Sequence, residues 1–482
     1  MKNSEIRESL QKLISGEVLW EDEILEFYSV DASLFQIMPK VVAIPKTEQD
    51  VILLVKFANK NNISITVRGA GSGLVGSALN SGIIVDLKKF DKIDIRKNYA
   101  KIGPGVTKGK LDRALKNELK FFSPNPSIGP YCSLGGMLGN NASGSRALKY
   151  GSMIDNVKEI TFIDGTGEKI TLPRDQKKGK RIVNLTKKIQ TELFPRVSKN
   201  SCGYRLDCVK SLKDTHKILI GSEGTLGIMT SAKIGLHHIP EKRILFVLEY
   251  QSMENAADDC EKIVYFDPSA LEFVDRATLK NIDYDFKKST VCLLLVEFDS
   301  NLKNKIKFGK NLTGKIIKKI KDEKKIEKWW KYRDLALSYS LKSINIEDRV
   351  PHIIEDAVVP LNNLRNLFLL IDNINKKFQT KTVMYGHAGN GNIHVRIISN
   401  RKKIKKLEKI SQIYFEQVIK LGGTITGEHG DGIARTEFIK KQYGNRNYLA
   451  FKELKKIFDP KKILNPGKIT SHHKRFKALE GY

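Results

Sequence analysis

Histidines and carboxylates stand close together in two short, glycine-rich segments in the last quarter of the chain. Residues 385–396 read Tyr-Gly-His-Ala-Gly-Asn-Gly-Asn-Ile-His-Val-Arg, and residues 427–432 read Gly-Glu-His-Gly-Asp-Gly. Two histidines and one carboxylate match an open divalent-metal site, which keeps positions free for substrate or water. The alternative is ordinary packing or capping, which accounts for most isolated histidines. Four ionisable groups among glycines favour the metal site, because glycines mark places where a ligand meets the backbone.

A predicted helix between the two segments explains how they can meet. Residues 402–421 show helical spacing of apolar side chains and end at Gly422-Gly423. The apolar face consists of Ile404, Leu407, Ile410, Tyr414 and Val418. A helix that returns the chain in this way brings the two segments side by side.

A glycine-rich loop follows a predicted strand in the N-terminal part. The spacing predicts strands at residues 41–44, 63–67 and 83–87 and a helix at 48–59. The loop Arg68-Gly-Ala-Gly-Ser-Gly73 begins where the second strand ends. Residues 71–76 match the dinucleotide pattern GxGxxG, but that pattern opens a helix, whereas this loop leads into the next strand. We therefore interpret it as a loop whose backbone amides surround an anion; Arg68 either adds charge there or caps the strand.

Two further glycine-dense segments follow. Residues 133–144 read Ser-Leu-Gly-Gly-Met-Leu-Gly-Asn-Asn-Ala-Ser-Gly, and residues 221–227 contain three glycines. We interpret the first as a loop that lets the backbone approach a ligand and that offers amide and hydroxyl groups to it. A turn explains any one of these glycines equally well. Three such segments together suit an extended ligand such as a dinucleotide.

The chain changes character near Pro240. Beyond it, predicted strands at 244–250 and 291–298 alternate with lysine-rich helices, and glycine is scarce until Gly386. The 482 residues are enough for two to four domains, and a 40% hydrophobic composition is that of a globular protein. We therefore place a domain boundary near Pro240.

The charge balance is strongly basic. The chain carries 84 Lys and Arg against 54 Asp and Glu, a formal net charge of +30. Such a field attracts polyanions, acidic partners or anionic surfaces. Because the lysines are spread along most of the sequence, a solvated basic surface explains the charge better than a nucleic-acid site.

A lysine-heavy stretch at residues 302–331 combines basic and aromatic side chains. Its aromatic residues, with the one that follows, are Trp329, Trp330 and Tyr332. One interpretation is a stacking platform for single-stranded nucleic acid. We favour an amphipathic helix in which Ile316, Ile317 and Ile320 pack inward while the lysines keep their charge in water.

Cysteine usage predicts a reducing compartment, and hydropathy predicts a water-soluble protein. The five cysteines, Cys132, Cys202, Cys208, Cys260 and Cys292, form no CxxC pair and match neither a disulfide framework nor a thiolate metal site. The N-terminus lacks the apolar core of a signal peptide, and no apolar run approaches the roughly 18–20 residues of a membrane span. We expect a cytoplasmic protein.

Five motifs of this chain occur in the order found in a known family. They are residues 68–74, 135–144, 221–228, 386–394 and 427–432. The chain resembles flavin-dependent D-2-hydroxyacid dehydrogenases of the vanillyl-alcohol-oxidase type, which include D-lactate dehydrogenases, the flavin subunit of glycolate oxidase and D-2-hydroxyglutarate dehydrogenases. The similarity extends from Asp31 to the segment 458–468.

This resemblance implies an α+β fold. A two-part, PCMH-type FAD-binding domain (residues 36–240) would follow an N-terminal helical segment (1–35). An α+β substrate or cap domain with an antiparallel sheet (241–425) would then cover the flavin. A C-terminal segment (426–482) would carry the Glu-His pair and return to the FAD domain.

The resemblance also implies roles for individual residues. A divalent metal, expected to be zinc, would be bound by His387, His394 and Glu428. His429 would be the general base. Arg333 matches the position that pairs with the substrate carboxylate, although it reads equally well as a helix-surface arginine beside Asp334. Residues expected at the FAD are Arg68, Gly69, Ala70, Gly71, Ser72, Gly73, Leu74, Pro126, Gly135, Gly136, Gly139, Asn140, Asn141, Ser143, Gly144, Tyr150, Gly151, Glu223, Gly224, Gly227, Ile228, Glu428 and Asn465.

The expected reaction is oxidation of a D-2-hydroxy acid, such as D-lactate, D-2-hydroxyglutarate or glycolate, to the 2-oxo acid. The metal would bind the substrate oxygens, His429 would take the hydroxyl proton, and hydride would pass to FAD. The alternatives are a different reaction on the same flavin scaffold and, less in keeping with the motifs, a basic nucleic-acid-binding protein.

Three departures from the family pattern shape these expectations. Relatives with covalent flavin carry a histidine near the first loop, and residues 67–76 have none, so FAD should be non-covalent. Arg396 stands where hydroxyglutarate enzymes resemble one another in carrying asparagine; it would bind substrate, engaging a second carboxylate, or line the strand. The cysteine clusters of an iron–sulfur domain are absent.

Electrons would therefore pass to a separate acceptor. An iron–sulfur subunit, an electron-transfer flavoprotein, a cytochrome or a quinone would each serve. Peripheral contact with the inner membrane face and a homodimer are both compatible with the resemblance.

Overall fold

Strands and helices alternate along most of the chain. The computed structural model describes residues 2–279, 282–336, 338, 348–349, 353–400 and 404–471. Its strands are β1 (Glu17–Leu19), β2 (Val41–Ile44), β3 (Ile65–Arg68), β4 (Ile83–Asp86), β5 (Ile93–Ile95), β6 (Tyr99–Ile102), β7 (Lys120–Phe121), β8 (Val157–Ile163), β9 (Lys169–Leu172), β10 (Ile228–Gly235), β11 (His237–His238), β12 (Ile244–Tyr250), β13 (Ala270–Asp275), β14 (Cys292–Phe298), β15 (Lys315–Ile320), β16 (Asp348–Arg349), β17 (Lys381–His387) and β18 (Asn392–Asn400).

The α-helices lie between these strands and at both ends of the described chain. They are α1 (Asn3–Leu13), α2 (Asp22–Ser29), α3 (Glu48–Asn61), α4 (Lys108–Lys116), α5 (Leu134–Asn140), α6 (Ala147–Tyr150), α7 (Met153–Asn156), α8 (Gln176–Thr186), α9 (Met253–Val264), α10 (Arg276–Leu279), α11 (Glu323–Asp334), α12 (Leu364–Phe378), α13 (Ile404–Lys420), α14 (Gly432–Arg435) and α15 (Ile439–Phe458).

The first sheet holds the first glycine-rich loop. Its strand order is β1-β2-β4-β3, and β2 and β3 both run parallel to β4. Helix α3 connects β2 to β3. Thr47 caps its N-terminus by accepting a hydrogen bond from the Asp50 amide, and one apolar face of the helix is buried, formed by Val51, Leu54, Val55 and Ala58. The predicted strand-helix-strand unit is therefore present, and the loop begins at the carboxyl end of β3.

The second sheet is antiparallel, and the third glycine segment leads directly into one of its strands. Its order is β5-β6-β10-β8-β9, and β10 begins directly after the third glycine segment. The loop predicted for residues 133–144 is wrong in part, because residues 134–140 form the short helix α5. Ser133 caps this helix through the Gly136 amide, and Leu134, Met137 and Leu138 pack inward at helical spacing.

A seven-stranded sheet dominates the second half of the chain. Its order is β15-β12-β14-β13-β17-β18-β16, and every pair in it is antiparallel. The hairpin of β17 and β18 places Tyr385 opposite His394. The predicted α+β fold, with an antiparallel sheet in the second half of the chain, is thus confirmed.

The lysine-heavy stretch does not form the helix that we predicted around residues 316–320. Residues 315–320 form the edge strand β15 instead, because the two adjacent β-branched isoleucines suit a strand that pairs with β12. Ile316 and Ile317 pack against two different hydrophobic clusters, because adjacent side chains of a strand point to opposite faces of the sheet. The following helix α11 buries Trp329 and Trp330, so these indoles are not available to stack on nucleic-acid bases.

The C-terminal segment returns to the first sheet. Ile65 accepts a hydrogen bond from the Asn465 amide (2.9 Å) and donates one to the Ile463 carbonyl (2.8 Å). Residues close to the end of the described chain therefore pack beside the strand that leads into the first glycine loop. None of the described helices combines the length and apolar character needed to cross a membrane.

Candidate functional site

A single cavity connects the glycine segments with the histidine segments. It has a volume of about 290 Å³ and is lined both by residues 67–74 and by His394, Arg396, Glu428 and His429. The two histidine segments do meet, since His387 Nε2 lies 3.1 Å from Glu428 Oε1. Groups that are far apart in sequence therefore face one chamber.

The first loop presents a row of unused backbone donors to this cavity. Among the described residues, none accepts a hydrogen bond from the amides of residues 69–74. Arg68 does not compete for this space, because its Nη1 donates to the Val30 carbonyl at 2.7 Å and its guanidinium lies under Gly71. Consecutive free amides form a nest that binds anions such as phosphate oxygens.

At two cavity-lining glycines, the described protein atoms leave room for a larger side chain. A Cβ on Gly139 would meet only Glu223 Cα, at 3.8 Å, and one on Gly73 would approach no described atom closer than 3.4 Å. Neither residue has a positive φ. Small residues at these two positions therefore leave room for a ligand.

Most of the residues predicted to hold FAD line this cavity. They are Arg68, Gly69, Ala70, Gly71, Ser72, Gly73, Leu74, Pro126, Gly135, Gly136, Gly139, Asn140, Ser143, Glu223, Gly224, Gly227 and Glu428. A cavity with free amides, open glycine positions and this lining fits a dinucleotide.

The other predicted FAD residues lie behind the lining. They are Asn141, Gly144, Tyr150, Gly151, Ile228 and Asn465. Asn465 binds the Ser77 and Glu223 carbonyls (2.8 and 2.7 Å), so it ties two glycine segments together. Tyr150 donates its hydroxyl proton to Asp299 in the second half of the chain. These two side chains hold the walls of the cavity in position.

Three nitrogen and oxygen atoms converge in the geometry of a metal site. The Nε2 atoms of His387 and His394 lie 3.1 and 3.3 Å from Glu428 Oε1. Ligand atoms at roughly 2.0–2.1 Å from a tetrahedral zinc ion stand about 3.3 Å apart. Burial lowers the pKa of His394 to about 4, which keeps its Nε2 lone pair free at neutral pH. The donor set fits a divalent cation.

Surrounding groups fix the orientation of these three side chains. Glu272 Oε1 accepts a hydrogen bond from His387 Nδ1 (2.8 Å), and the Glu355 carbonyl lies 3.3 Å from His394 Nδ1. Both contacts favour the tautomer whose Nε2 points at Glu428. The other oxygen of Glu428 binds Lys199 Nζ at 3.0 Å and the Ser143 hydroxyl.

A second group of possible ligands overlaps the first but is already engaged. It consists of Glu355, Asp356, His394 and His429. Asp356 Oδ2 accepts hydrogen bonds from the amides of residues 427, 428 and 429 at 2.8–3.0 Å, and Glu355 binds Arg435 and His429. The carboxylates of this group shape the Glu-His turn, so the first group is the better metal site.

His429 lies beside the metal-type ligands, and no described residue hydrogen-bonds to its Nε2. Its Nδ1 is 2.7 Å from Glu355 Oε2, its Nε2 is 3.8 Å from Glu428 Oε1, and its ring stacks on His394 with centroids 5.1 Å apart. Burial would lower its pKa, but the carboxylates of Asp356 and Glu355 raise it to about 9. The arrangement suits proton transfer at Nε2.

The two arginines predicted to contact substrate have different surroundings. Arg333, which is buried on α11, donates from Nε to Glu272 at 2.6 Å and does not line the cavity. Arg396 lines the cavity, and among the described residues its Nε and Nη1 have no hydrogen-bond partner.

Sequence reasoning missed the side chains that support the site. Buried side chains that contact the predicted ligands or base are Glu272, Glu355, Asp356 and Lys199. Glu355 and Asp356 lie in a family-like segment, residues 354–360, but no role at the site was predicted for any of the four. One of them could have been found from the sequence. Glu272 is a charged residue inside the otherwise apolar run Ala270–Asp275, and a charge in a buried strand needs a partner.

Comparison with known proteins agrees with this architecture. A family model described as an FAD binding domain matches residues 39–173, and one described as the C-terminal domain of FAD linked oxidases matches residues 239–469. Among solved structures, an alkyldihydroxyacetonephosphate synthase covers 97% of this chain with a TM-score of 0.69. The chain covers 86% of that structure, and at 18% identity this likeness shows the fold alone.

Curated relatives match almost the whole chain. Glycolate oxidase subunit GlcD of Bacillus subtilis is 29% identical, over 94% of this chain and 93% of the relative. D-lactate dehydrogenase of Anaerostipes hadrus is 26% identical, over 96% and 97%. D-2-hydroxyglutarate dehydrogenase of Haemophilus influenzae is 27% identical over 92% of this chain but 49% of its own length. The chain therefore combines an FAD binding domain with the C-terminal domain of FAD linked oxidases; it is an FAD-linked oxidoreductase, and FAD is its cofactor.

Proposed function

We propose that this protein oxidises a D-2-hydroxy acid to the 2-oxo acid, using non-covalent FAD and a divalent metal, with zinc as the best candidate. The observation that carries the proposal is the shared cavity. The free amides of the first loop face it together with His394, Glu428 and His429, and His387 lies directly behind Glu428. The names of the relatives support 2-hydroxy acids as the substrate class.

The glycine segments are proposed to hold the flavin, and Gly139 offers a test. Ala at this position in α5 should raise the stability of the flavin-free protein by about 0.5–1 kcal/mol, because Ala is the better helix former. The same methyl group would occupy ligand space, so flavin content should fall. Melting of the flavin-free protein and flavin absorbance per chain measure the two effects.

Gly179→Ala on helix α8 is the matched control for Gly139→Ala, since it changes a helical glycine away from the cavity. It should leave flavin content unchanged. Full flavin occupancy in Gly139→Ala would contradict the proposed position of the flavin.

Residues of this chain perform the proton chemistry in the proposed mechanism. When bound, FAD supplies a two-electron acceptor and the cation supplies a Lewis acid for the substrate oxygens. His429 Nε2 takes the proton of the substrate hydroxyl. Glu355 holds the opposite nitrogen and stabilises the imidazolium that forms, while Asp356 fixes the backbone that carries His429. Glu355 and Asp356 are buried, whereas His429 is partly exposed.

Glu272→Gln should weaken metal binding about 10–100-fold, because Glu272 orients His387 and raises its basicity as a ligand. Competition with a chromophoric chelator measures this affinity. Glu297→Gln is the matched control, since it removes another buried, arginine-paired carboxylate on the adjacent strand β14. Equal loss of affinity in both variants would contradict the role given to Glu272.

Anaerobic flavin reduction tests the reaction itself. The purified protein should be yellow, and D-lactate, D-2-hydroxyglutarate or glycolate should bleach the flavin whereas L-lactate should not. A protein that gains no flavin on reconstitution, or a bound flavin that none of the three acids reduces, would overturn the proposal.

A further inference from the structure

A lysine is buried directly beside the three predicted metal ligands. Lys199 is 1% exposed, and its Nζ lies 3.0 Å from Glu428 Oε2. An ammonium group so close to a cation site repels the cation and lowers its affinity. The ion pair with Glu428 does not in itself explain the lysine, because a buried ion pair adds little net stability once the loss of hydration is counted. The position of this charge therefore requires another explanation.

The lysine and a serine occupy one oxygen of the glutamate. Glu428 Oε2 accepts hydrogen bonds from Lys199 Nζ and from the Ser143 hydroxyl. A carboxylate oxygen has about two lone-pair positions, so both positions of Oε2 are in use. The other oxygen, Oε1, faces the Nε2 atoms of His387 and His394 at 3.1 and 3.3 Å. Glu428 can therefore offer a cation one oxygen while these two hydrogen bonds persist.

The hairpin that carries the histidines holds Lys199 in this position. The side-chain amide of Asn390 donates to the Ser198 hydroxyl at 2.8 Å, so the residue before Lys199 is attached to the turn between β17 and β18. Asn392 Oδ1 lies 3.5 Å from Lys199 Nζ, and the amide nitrogen of Asn392 donates to the Ala357 carbonyl at 3.1 Å. The ammonium group is thus fixed relative to the metal ligands.

We propose that Lys199 is a positioning residue that keeps Glu428 monodentate and thereby selects the metal. The inference rests on the proposed function and makes it more specific. Two imidazole nitrogens and one carboxylate oxygen suit zinc, which needs few protein ligands and keeps a position open. Magnesium, calcium and manganese favour oxygen ligands, and calcium often takes both oxygens of a carboxylate. A lysine that withholds the second oxygen disfavours these harder cations.

The ratio of zinc affinity to manganese affinity tests this role. Chelator competition would measure both affinities for the flavin-loaded protein, freed of metal beforehand, in the wild type and in Lys199→Met. Loss of the ammonium charge raises the affinity for both cations, so this effect cancels in the ratio. The released oxygen of Glu428 is a better ligand for manganese than for zinc. The ratio should therefore fall at least about tenfold, the usual scale for groups that orient a ligand.

Cobalt absorption gives an independent measure of the coordination number. Cobalt(II) binds the same donor atoms as zinc, and its visible bands are intense in four-coordinate sites and weak in six-coordinate ones. The bands of cobalt-loaded Lys199→Met should be weaker than those of the cobalt-loaded wild type, because both oxygens of Glu428 can then bind the ion. Loss of folding stability alone would not change this spectrum.

Lys178→Met is the matched control. Lys178 is another buried lysine that pairs with a buried carboxylate, that of Asp164 at 3.1 Å, and neither residue lines the cavity. Its replacement should leave the affinity ratio and the cobalt spectrum unchanged. Ser143→Ala removes the other donor to Glu428 Oε2, so it should lower the ratio in the same direction but by less than Lys199→Met.

An unchanged affinity ratio or cobalt spectrum in folded Lys199→Met would overturn the inference, even if both affinities fall, because an equal fall is the result of a merely structural role. If Lys199→Met does not fold, an unchanged ratio in Ser143→Ala would overturn it. A wild type that binds neither zinc nor manganese would instead contradict the proposed function, so the two failures are distinguishable.

Discussion

Replacement of His429 by glutamine is expected to slow flavin reduction by the substrate about 10²–10⁴-fold, the usual contribution of a positioned base. Glutamine is polar and similar in length, but it cannot take the hydroxyl proton. His429 Nε2 lies 3.8 Å from Oε1 of Glu428, a predicted metal ligand, while the buried carboxylate of Glu355 holds Nδ1 of His429. Anaerobic stopped-flow absorbance measures the rate, and flavin and metal content should remain those of the wild type.

His216→Gln provides the matched control for this variant. His216 is a buried histidine whose Nε2 contacts the Val157 carbonyl, away from the cavity. Its replacement should leave the rate of flavin reduction unchanged. Wild-type rates in His429→Gln would assign the proton transfer to another group.

The pH profile gives an independent signature of the same base. Asp356 and Glu355 raise the pKa of His429 to about 9. Below that value, the fraction of His429 that is neutral increases about tenfold for each unit by which the pH rises. A cation at the neighbouring ligands opposes these carboxylates and lowers the pKa. The rate should therefore rise with pH along a limb whose midpoint lies at or below about 9. This limb should be missing in His429→Gln.

Motif spacing made the candidate site predictable. His387, His394, Glu428 and His429 stand within short glycine-rich segments, where close approach of ligand and backbone leaves a local pattern. The first loop was predictable for the same reason, since its glycines follow a strand and are not followed by a helix. These features are formed by residues that are close together along the chain, so the sequence alone is enough to show them.

The supporting groups depend on long-range contacts and were therefore missed. Glu272 and Glu297 both interrupt apolar strands, and both are buried beside an arginine. Only the fold shows that Glu272 reaches His387 whereas Glu297 pairs with Arg146 and Arg243. The strand at 315–320 escaped prediction for a related reason, because its pairing with β12 outweighs a locally helical pattern of lysine and isoleucine.

Removal of the metal is expected to lower the rate of flavin reduction by the substrate about 10³-fold, while dithionite still reduces the flavin at its former rate. A Lewis acid contributes several kcal/mol to stabilising the oxygen that loses its proton, and about 1.4 kcal/mol corresponds to a factor of ten. Chelation under anaerobic conditions, checked by metal analysis, followed by stopped-flow mixing with substrate measures this loss.

Restoration distinguishes a catalytic metal from a general effect of the chelator. Added zinc should return the rate of the wild type but not that of His387→Ala, which lacks one of the three ligands. His387→Ala leaves Glu272 paired with Arg333, so the buried carboxylate keeps a counter-charge and the variant should remain folded. A verified metal-free protein that reduces its flavin at the full rate would show that His387, His394 and Glu428 act without a cation.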